Sequence, residues 1–237
     1  QTIQDHNITS NRYDLKTFLY ILASISTNHH CYPHFFEKIE KIILMYKQYI
    51  NKNFTNIEIY KIFNKSTKIS YFLITNSIIK LSEIYEIMQK NDFIYFSPSV
   101  SLILGYIDKI DAGFKEKRNI GENDDFISQL IRQDLIEEFI IFVKKNEYPL
   151  KSEIKPSIFE THHFLKGKKV TLIEYASFFG SVQICRYLYQ NGVELSSSLW
   201  LYAIHSDSAE MINFLEENKV EMPDNSIKKL IKESIKC

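Results

Sequence analysis

The chain of 237 residues is poor in the residues that punctuate or cross-link a fold. It has three cysteines, Cys31, Cys185 and Cys237. They are odd in number and far apart, with no pair at metal-ligand spacing. A disulfide framework is excluded, and the usage fits a reducing compartment. Glycine (6) and proline (5) are too scarce for the many tight turns of an all-β or α/β protein of this length. There is no excess of charge, with 29 basic and 29 acidic residues. Lys and Glu alternate, as in Glu37-Lys38-Ile39-Glu40-Lys41, so nothing resembles the basic face that grips nucleic acid or an anionic membrane. Long hydrophobic runs are missing too: Phe18–Ala23 and Phe139–Val143 are far too short to cross a bilayer. No signal peptide opens the chain, so a cytoplasmic protein is expected. Its first residue is Gln rather than Met, so a fragment or processed form is expected, and the sequons at Asn7, Asn53 and Asn64 carry little weight in an Asn-rich chain. Neither a Gly-x-Gly-x-x-Gly fingerprint nor a phosphate loop occurs, and Gly167-Lys168-Lys169 reads as a basic turn.

What is present is apolar periodicity. Hydrophobic residues make up 45% of the chain, and Leu, Ile, Phe and Tyr recur at three- and four-residue spacing. This predicts an all-α protein. Asp14 can cap a helix to about Thr27, with Leu15, Phe18, Leu19, Leu22 and Ile25 on one face. Further helices are expected over His34–Ile50, Asn56–Asn64, Thr67–Thr75 and about Ile78–Lys90. Ser97-Pro98 starts another that runs to about Phe114. The charged stretch Lys115–Asp125, with Gly121, marks a domain boundary. It separates an N-terminal helical domain (1–118) from a second region (119–237). Helical pattern resumes at Phe126–Arg132 and Leu135–Lys145, followed by a loop with Pro149 and Pro156 and an apolar piece at Ile158–Leu165.

The second region repeats itself. Thr171 to Gly180 aligns without gaps on Ser198 to Asp207, an offset of 27 residues. Ile184, Cys185, Leu188 and Val193 then meet Met211, Ile212, Leu215 and Val220. Thr171 and Glu174 form a capping-box pair, Ala176 permits close helix approach, and Gly180 suits a left-handed helix stop. Asp207 with Glu210 is expected to repeat the box. Such a helical pair cannot bury its own apolar face, so neighbours must stack. Phe126–Leu150 reads as a degenerate copy with Asp134 at the turn, and a third start lies at Pro223–Lys236, where the chain ends before a second helix.

Thr171 to Ser181, with Ile184-Cys185, Leu188-Tyr189 and Gly192-Val193-Glu194, resembles the ankyrin repeat. The motif's Pro is Leu172 and Leu199 here, its His is Glu174 and Leu201, and the period falls short of the usual 33 or so. The whole chain resembles a divergent family of uncharacterised ankyrin proteins expanded in some protists. Their N-terminal helical domain carries runs matched by Ile25-Ser26-Thr27-Asn28-His29-His30 and Phe35-Phe36-Glu37-Lys38-Ile39-Glu40. The resemblance implies an ankyrin-type α-solenoid that binds another protein. Its contact residues would be Val170, Phe178 and Phe179 in one repeat and Ser197, His205 and Ser206 in the next. The alternative is a structural or regulatory scaffold with no groove partner, in which Phe178 and Phe179 pack on Ile158–Leu165.

Two sharper ideas are set against plainer ones. His29, His30, Cys31 and His34 could in principle hold zinc, but adjacent residues rarely all turn inward on one ion, and a polar helix corner is the expected reading, with no metal or cofactor. Cys185 with His205, or Cys31 with a nearby His, is the only nucleophile pair available to a thiol hydrolase. Cys185 stands where a repeat buries an apolar residue, so an inert core thiol is expected, and no enzyme.

Overall fold

The computed structural model describes residues 11–28, 34–88, 92, 95–96 and 113–222. Every regular element among them is helical, and no described helix is long and apolar enough to cross a membrane. The chain divides into two compact units. Unit 1 holds residues 1–122 together with Thr161–His163, and unit 2 holds Asn123–Glu160 and residues 164–237.

Unit 1 contains α1 (Arg12–Asn28), α2 (His34–Asn53), α3 (Asn56–Phe63), α4 (Thr67–Thr75), α5 (Leu81–Ile84, running into a 3-10 turn at Tyr85–Ile87) and α6 (Phe114–Ile120). Asn11, not Asp14, caps α1: its side-chain oxygen accepts the Asp14 amide at 2.8 Å. Leu15, Leu19 and Leu22 are buried on one face of α1, and Ile39, Ile43, Tyr46 and Ile50 on the facing stripe of α2. The expected Ile78–Lys90 helix is cut short. Ser77 takes a left-handed conformation (φ 53°), and the chain restarts only at Leu81. The expected 98–114 helix lies outside the described residues apart from its end, where Phe114 opens α6. That helix occupies a stretch whose charge suggested a boundary. Its Arg118 is buried with its guanidinium 4.1 Å from the Tyr71 ring centre, while Lys115 and Glu116 on the same helix are exposed. Gly121 ends α6 at φ 71°, and a β-carbon there would come within 2.3 Å of Lys68 Cε, whose ammonium donates to the Ile120 carbonyl at 2.8 Å.

Unit 2 is built from three pairs: α7 (Phe126–Arg132) with α8 (Ile136–Lys145), α9 (Leu172–Phe179) with α10 (Val182–Gln190), and α11 (Leu199–Ala203, extended by a 3-10 turn at Ile204–Ser206) with α12 (Ala209–Glu217). The first helix of the middle pair packs on the first helices either side, α7 and α11. The second helix packs on α8 and α12. Two rows result, with one core between them. Phe139, Ile184, Leu188, Met211 and Leu215 fill it, none accessible to solvent.

One local device is used throughout. Within each pair the turn residue is left-handed: Asp134 (φ 48°), Gly180 (72°) and Asp207 (50°). After each second helix comes another: Glu147 (48°), Gly192 (83°) and Lys219 (53°). At five of these six turns the following amide turns back onto the helix, whereas after Asp207 the Ser208 amide donates to Ser206 Oγ at 3.2 Å. Leu135 N, Ser181 N, Tyr148 N, Val193 N and Val220 N donate to the carbonyls of Leu130, Ala176, Val143, Leu188 and Leu215 at 2.9–3.1 Å. This bond satisfies a carbonyl that the helix end would otherwise leave open. Where the residue is not glycine, its β-carbon crowds the backbone at a cost of about 1–2 kcal/mol. Exposed Glu147 carries that cost. Glu147→Gly should therefore raise stability by about 0.5–1 kcal/mol after the added freedom of the unfolded chain is counted, visible as a melting temperature a few degrees higher. An unchanged or lower melting temperature would contradict this account of the turn.

Candidate functional site

The residues expected to meet a partner cluster around α9 and α11, and the sequence folds them by hydrogen bonds that cross from pair to pair. Thr171 caps α9, accepting the Glu174 amide at 3.4 Å, while Glu174 returns a carboxylate oxygen to the Thr171 amide at 3.0 Å. The other carboxylate oxygen of Glu174 accepts the Ser198 hydroxyl at 3.0 Å, which ties the middle pair to the third. Ser177 Oγ donates to the Leu199 carbonyl at 3.3 Å, and Ser181 Oγ to the Ile131 carbonyl. Asp134 does double duty: its backbone makes the left-handed turn of the first pair while its carboxylate accepts the Gln183 and Ile184 amides (3.1 and 3.0 Å) at the start of α10. The box expected for Asp207 and Glu210 does not form. Asp207 is spent on the left-handed turn, and Ser208 is the cap, accepting the Met211 amide at 3.2 Å.

The connection between the first and middle pairs is far longer than the next one, residues 146–171 against 191–198. Its base is closed by an antiparallel bridge between Glu153 and Thr171, where Ile154 N donates to Val170 O at 2.7 Å and Leu172 N to Ser152 O at 3.1 Å. The intervening loop puts Phe164 against the first-helix row. The Phe164 ring stacks on Phe178 (5.7 Å between centres, 7° between planes). It meets Tyr202 edge-on at 5.2 Å and lies 4.2 Å from His205.

This loop decides where the six expected contact residues stand. Phe178 (1% exposed), Val170 (4%) and His205 (5%) are enclosed within unit 2, which corrects the expectation that they line an open groove. Val170 is held in the base of the loop, and the rings of Phe178 and His205 are held by Phe164. Phe179, Ser197 and Ser206 are half-buried. The Phe179 ring leans on Tyr175 (4.8 Å) and Phe178 (5.0 Å), and Ser206 Oγ donates to Ala203 O at 2.6 Å. Phe164 lies in the Ile158–Leu165 segment that the scaffold alternative packs on Phe178, while Tyr202 was not singled out from sequence. Nor did the sequence mark a chain of polar contacts behind them, in which Arg132 donates to the Asn123 carbonyl (2.8 Å) and the Tyr175 hydroxyl (2.9 Å), and Tyr175 lies 3.4 Å from the buried carboxylate of Glu160. The legible signal was the spacing of the turn residues: Asp134 to Gly180 is 46 residues, and Gly180 to Asp207 is 27. The large apolar side chains of unit 2 that do face solvent include Phe126 (54% exposed) on α7 and Ile141 (64%) on α8.

Cys185 is enclosed in the core, its thiol donating to Ile173 O at 3.8 Å. Burial pushes the thiol pKa up, and the Asp134 carboxylate adds to the effect. A raised acid favours the protonated form in the folded chain. That contribution to stability is therefore full below the unfolded thiol's pKa near 8.5 and declines above it as the unfolded thiolate forms. Native Cys185 should react with a thiol-specific reagent at least 100-fold more slowly than after denaturation, with the native rate following unfolding; fast native labelling would reject this placement. Cys31, His29 and His30, and the side chain of His34, fall outside the described residues. Among the described residues no group of three or more His, Cys, Asp or Glu is placed to hold a metal ion.

Unit 1 carries a cleft of about 380 Å³ lined by both aromatic and charged residues, among them Phe36, Glu40, Lys68, Tyr71 and Arg118. Burial lowers the Lys68 pKa, an effect that the carboxylates of Glu122 and Glu40 offset, and burial raises Glu40. No protein family, curated protein or solved structure matches the chain.

Proposed function

We propose that unit 2 is a short ankyrin-type solenoid and that its role is to bind another protein in a reducing, cytoplasmic setting. The observation that carries this reading is the two-row packing of three helical pairs, each closed by the same left-handed turn and linked to the next by side-chain hydrogen bonds. Such pairs stack because none can bury its own apolar stripe, and a stack presents its first-helix row as a continuous surface. The family resemblance of the Ile25–His30 and Phe35–Glu40 runs belongs to the same proposal. Balanced charge supports a protein partner over a nucleic acid. On this surface Phe179, Ser197 and Ser206 are half-buried, while Phe126 at the start of α7 is exposed with its ring against Phe142 of α8, and an exposed aromatic is the residue type that anchors interfaces.

The test is proximity labelling by the full chain in its native cells, with three versions compared. A partner should be recovered by the wild type and by Ile141→Asp, which alters the second-helix row. Its recovery should fall at least tenfold with Phe126→Asp combined with Ser206→Arg. Equal recovery with both variants would remove the first-helix row from consideration. A second reading, an internal scaffold without a groove partner, draws on the burial of Phe178 and His205 under Phe164. It is favoured if no protein's recovery responds to either variant.

A further inference from the structure

Three residues of the first-helix row form the walls of a pocket: Phe178 on α9, and Tyr202 and His205 on α11 and its 3-10 turn. All three walls are buried, while Phe164, the ring that fills the pocket, is half-buried. The Lys168 ammonium lies 3.5 Å from the Phe164 ring centre, and Lys168 is exposed. Phe164 is delivered by the long connection between the first and middle pairs. The connection between the middle and third pairs does the same topological job with residues 191–198 alone. A loop of this length without regular structure is uncommon in a compact unit unless it serves a function. It is closed at its base by the Glu153–Thr171 bridge and turns at Gly167 (φ 74°), where nothing lies within 4 Å of the position a β-carbon would take. Phe164 is carried by a loop closed at its base, beside the buried Leu165, and the pocket it fills sits between consecutive first helices, where a stacked-pair protein presents its contact surface.

We infer that the Phe178–Tyr202–His205 pocket is a recognition pocket for a phenylalanine side chain of an extended segment of a partner protein, held closed in the free chain by Phe164 acting as a stand-in for that residue. The inference rests on the protein-binding reading of unit 2 and names the chemistry of the partner. The stand-in defines the ligand: one flat ring stacked on Phe178 and edge-on to Tyr202, with a basic residue near enough to lie over it.

A labelled synthetic peptide spanning residues 159–169 is the probe, titrated against the full chain. The Phe164→Ala chain should bind it at least tenfold more tightly than the wild type, because the tethered competitor is gone. A peptide with Ala at the position of Phe164 should bind neither chain. Equal affinity for wild type and Phe164→Ala, or equal binding of the Ala peptide, overturns the inference. Phe164→Leu keeps the pocket filled by an apolar side chain and guards against loss of folding in the alanine variant. It should gain at least threefold over the wild type, and no gain overturns the inference. Peptide binding as expected, together with no partner recovered by proximity labelling, upholds the pocket and sinks the wider reading. A recovered partner with no peptide response does the reverse.

Discussion

Replacing Phe178 by Ala should lower the free energy of unfolding by about 3–5 kcal/mol, the cost of removing a fully enclosed ring and leaving a cavity. The ring is 1% exposed, stacked on Phe164, edge-on to Phe179 and 5.3 Å from His205, so no single neighbour can collapse into the space. For a chain of this size that is a fall in melting temperature on the order of 10 °C. The comparison is Phe126→Ala, at a ring 54% exposed, where a change within about 0.5 kcal/mol is expected. Chemical denaturation of both variants measures the difference. A loss below about 1 kcal/mol for Phe178→Ala would mean that the loop does not enclose this ring in solution.

Gly180→Val carries the second large effect, about 2–4 kcal/mol, from two causes that add. The residue sits at φ 72°, where a β-branched side chain is strained, and its β-carbon would stand 3.0 Å from Ser208 Cβ, the cap of the next pair's second helix. Gly180→Asn is the informative control, since Asn tolerates the left-handed region and Asp occupies the sister turns at Asp134 and Asp207. It should cost about half as much or less. Equal urea midpoints for the two variants would show that crowding against Ser208, and not backbone handedness, decides the position.

Much of the helical architecture was legible because it follows from local rules. Thr67–Thr75 and Phe126–Arg132 carry their boundaries in sequence, and the Thr171–Glu174 box and the Gly180 stop were readable from residue type alone. What the sequence concealed depends on long-range packing. The charged stretch at Lys115–Asp125 suggested a boundary, but only the structure shows Arg118 within it buried against the Tyr71 ring. Asp207 looks like half of a capping box, yet the turn geometry claims its backbone and leaves Ser208 to cap. The expected contact residues came from the repeat motif, and three of them, Val170, Phe178 and His205, are buried within unit 2. A motif describes the stack and says nothing of an insertion outside it, and here the insertion closes over Phe178 and His205.

Trp200 is the only tryptophan in the chain. It lies in the first turn of α11, is 4% exposed, and donates its indole N–H to the Val220 carbonyl at 3.0 Å, at the left-handed turn that ends α12. Intrinsic fluorescence therefore reports on the third helical pair alone, while circular dichroism sums every helix. A red shift in emission that precedes loss of ellipticity during a urea titration would make the native chain its own gauge of local loosening at that pair.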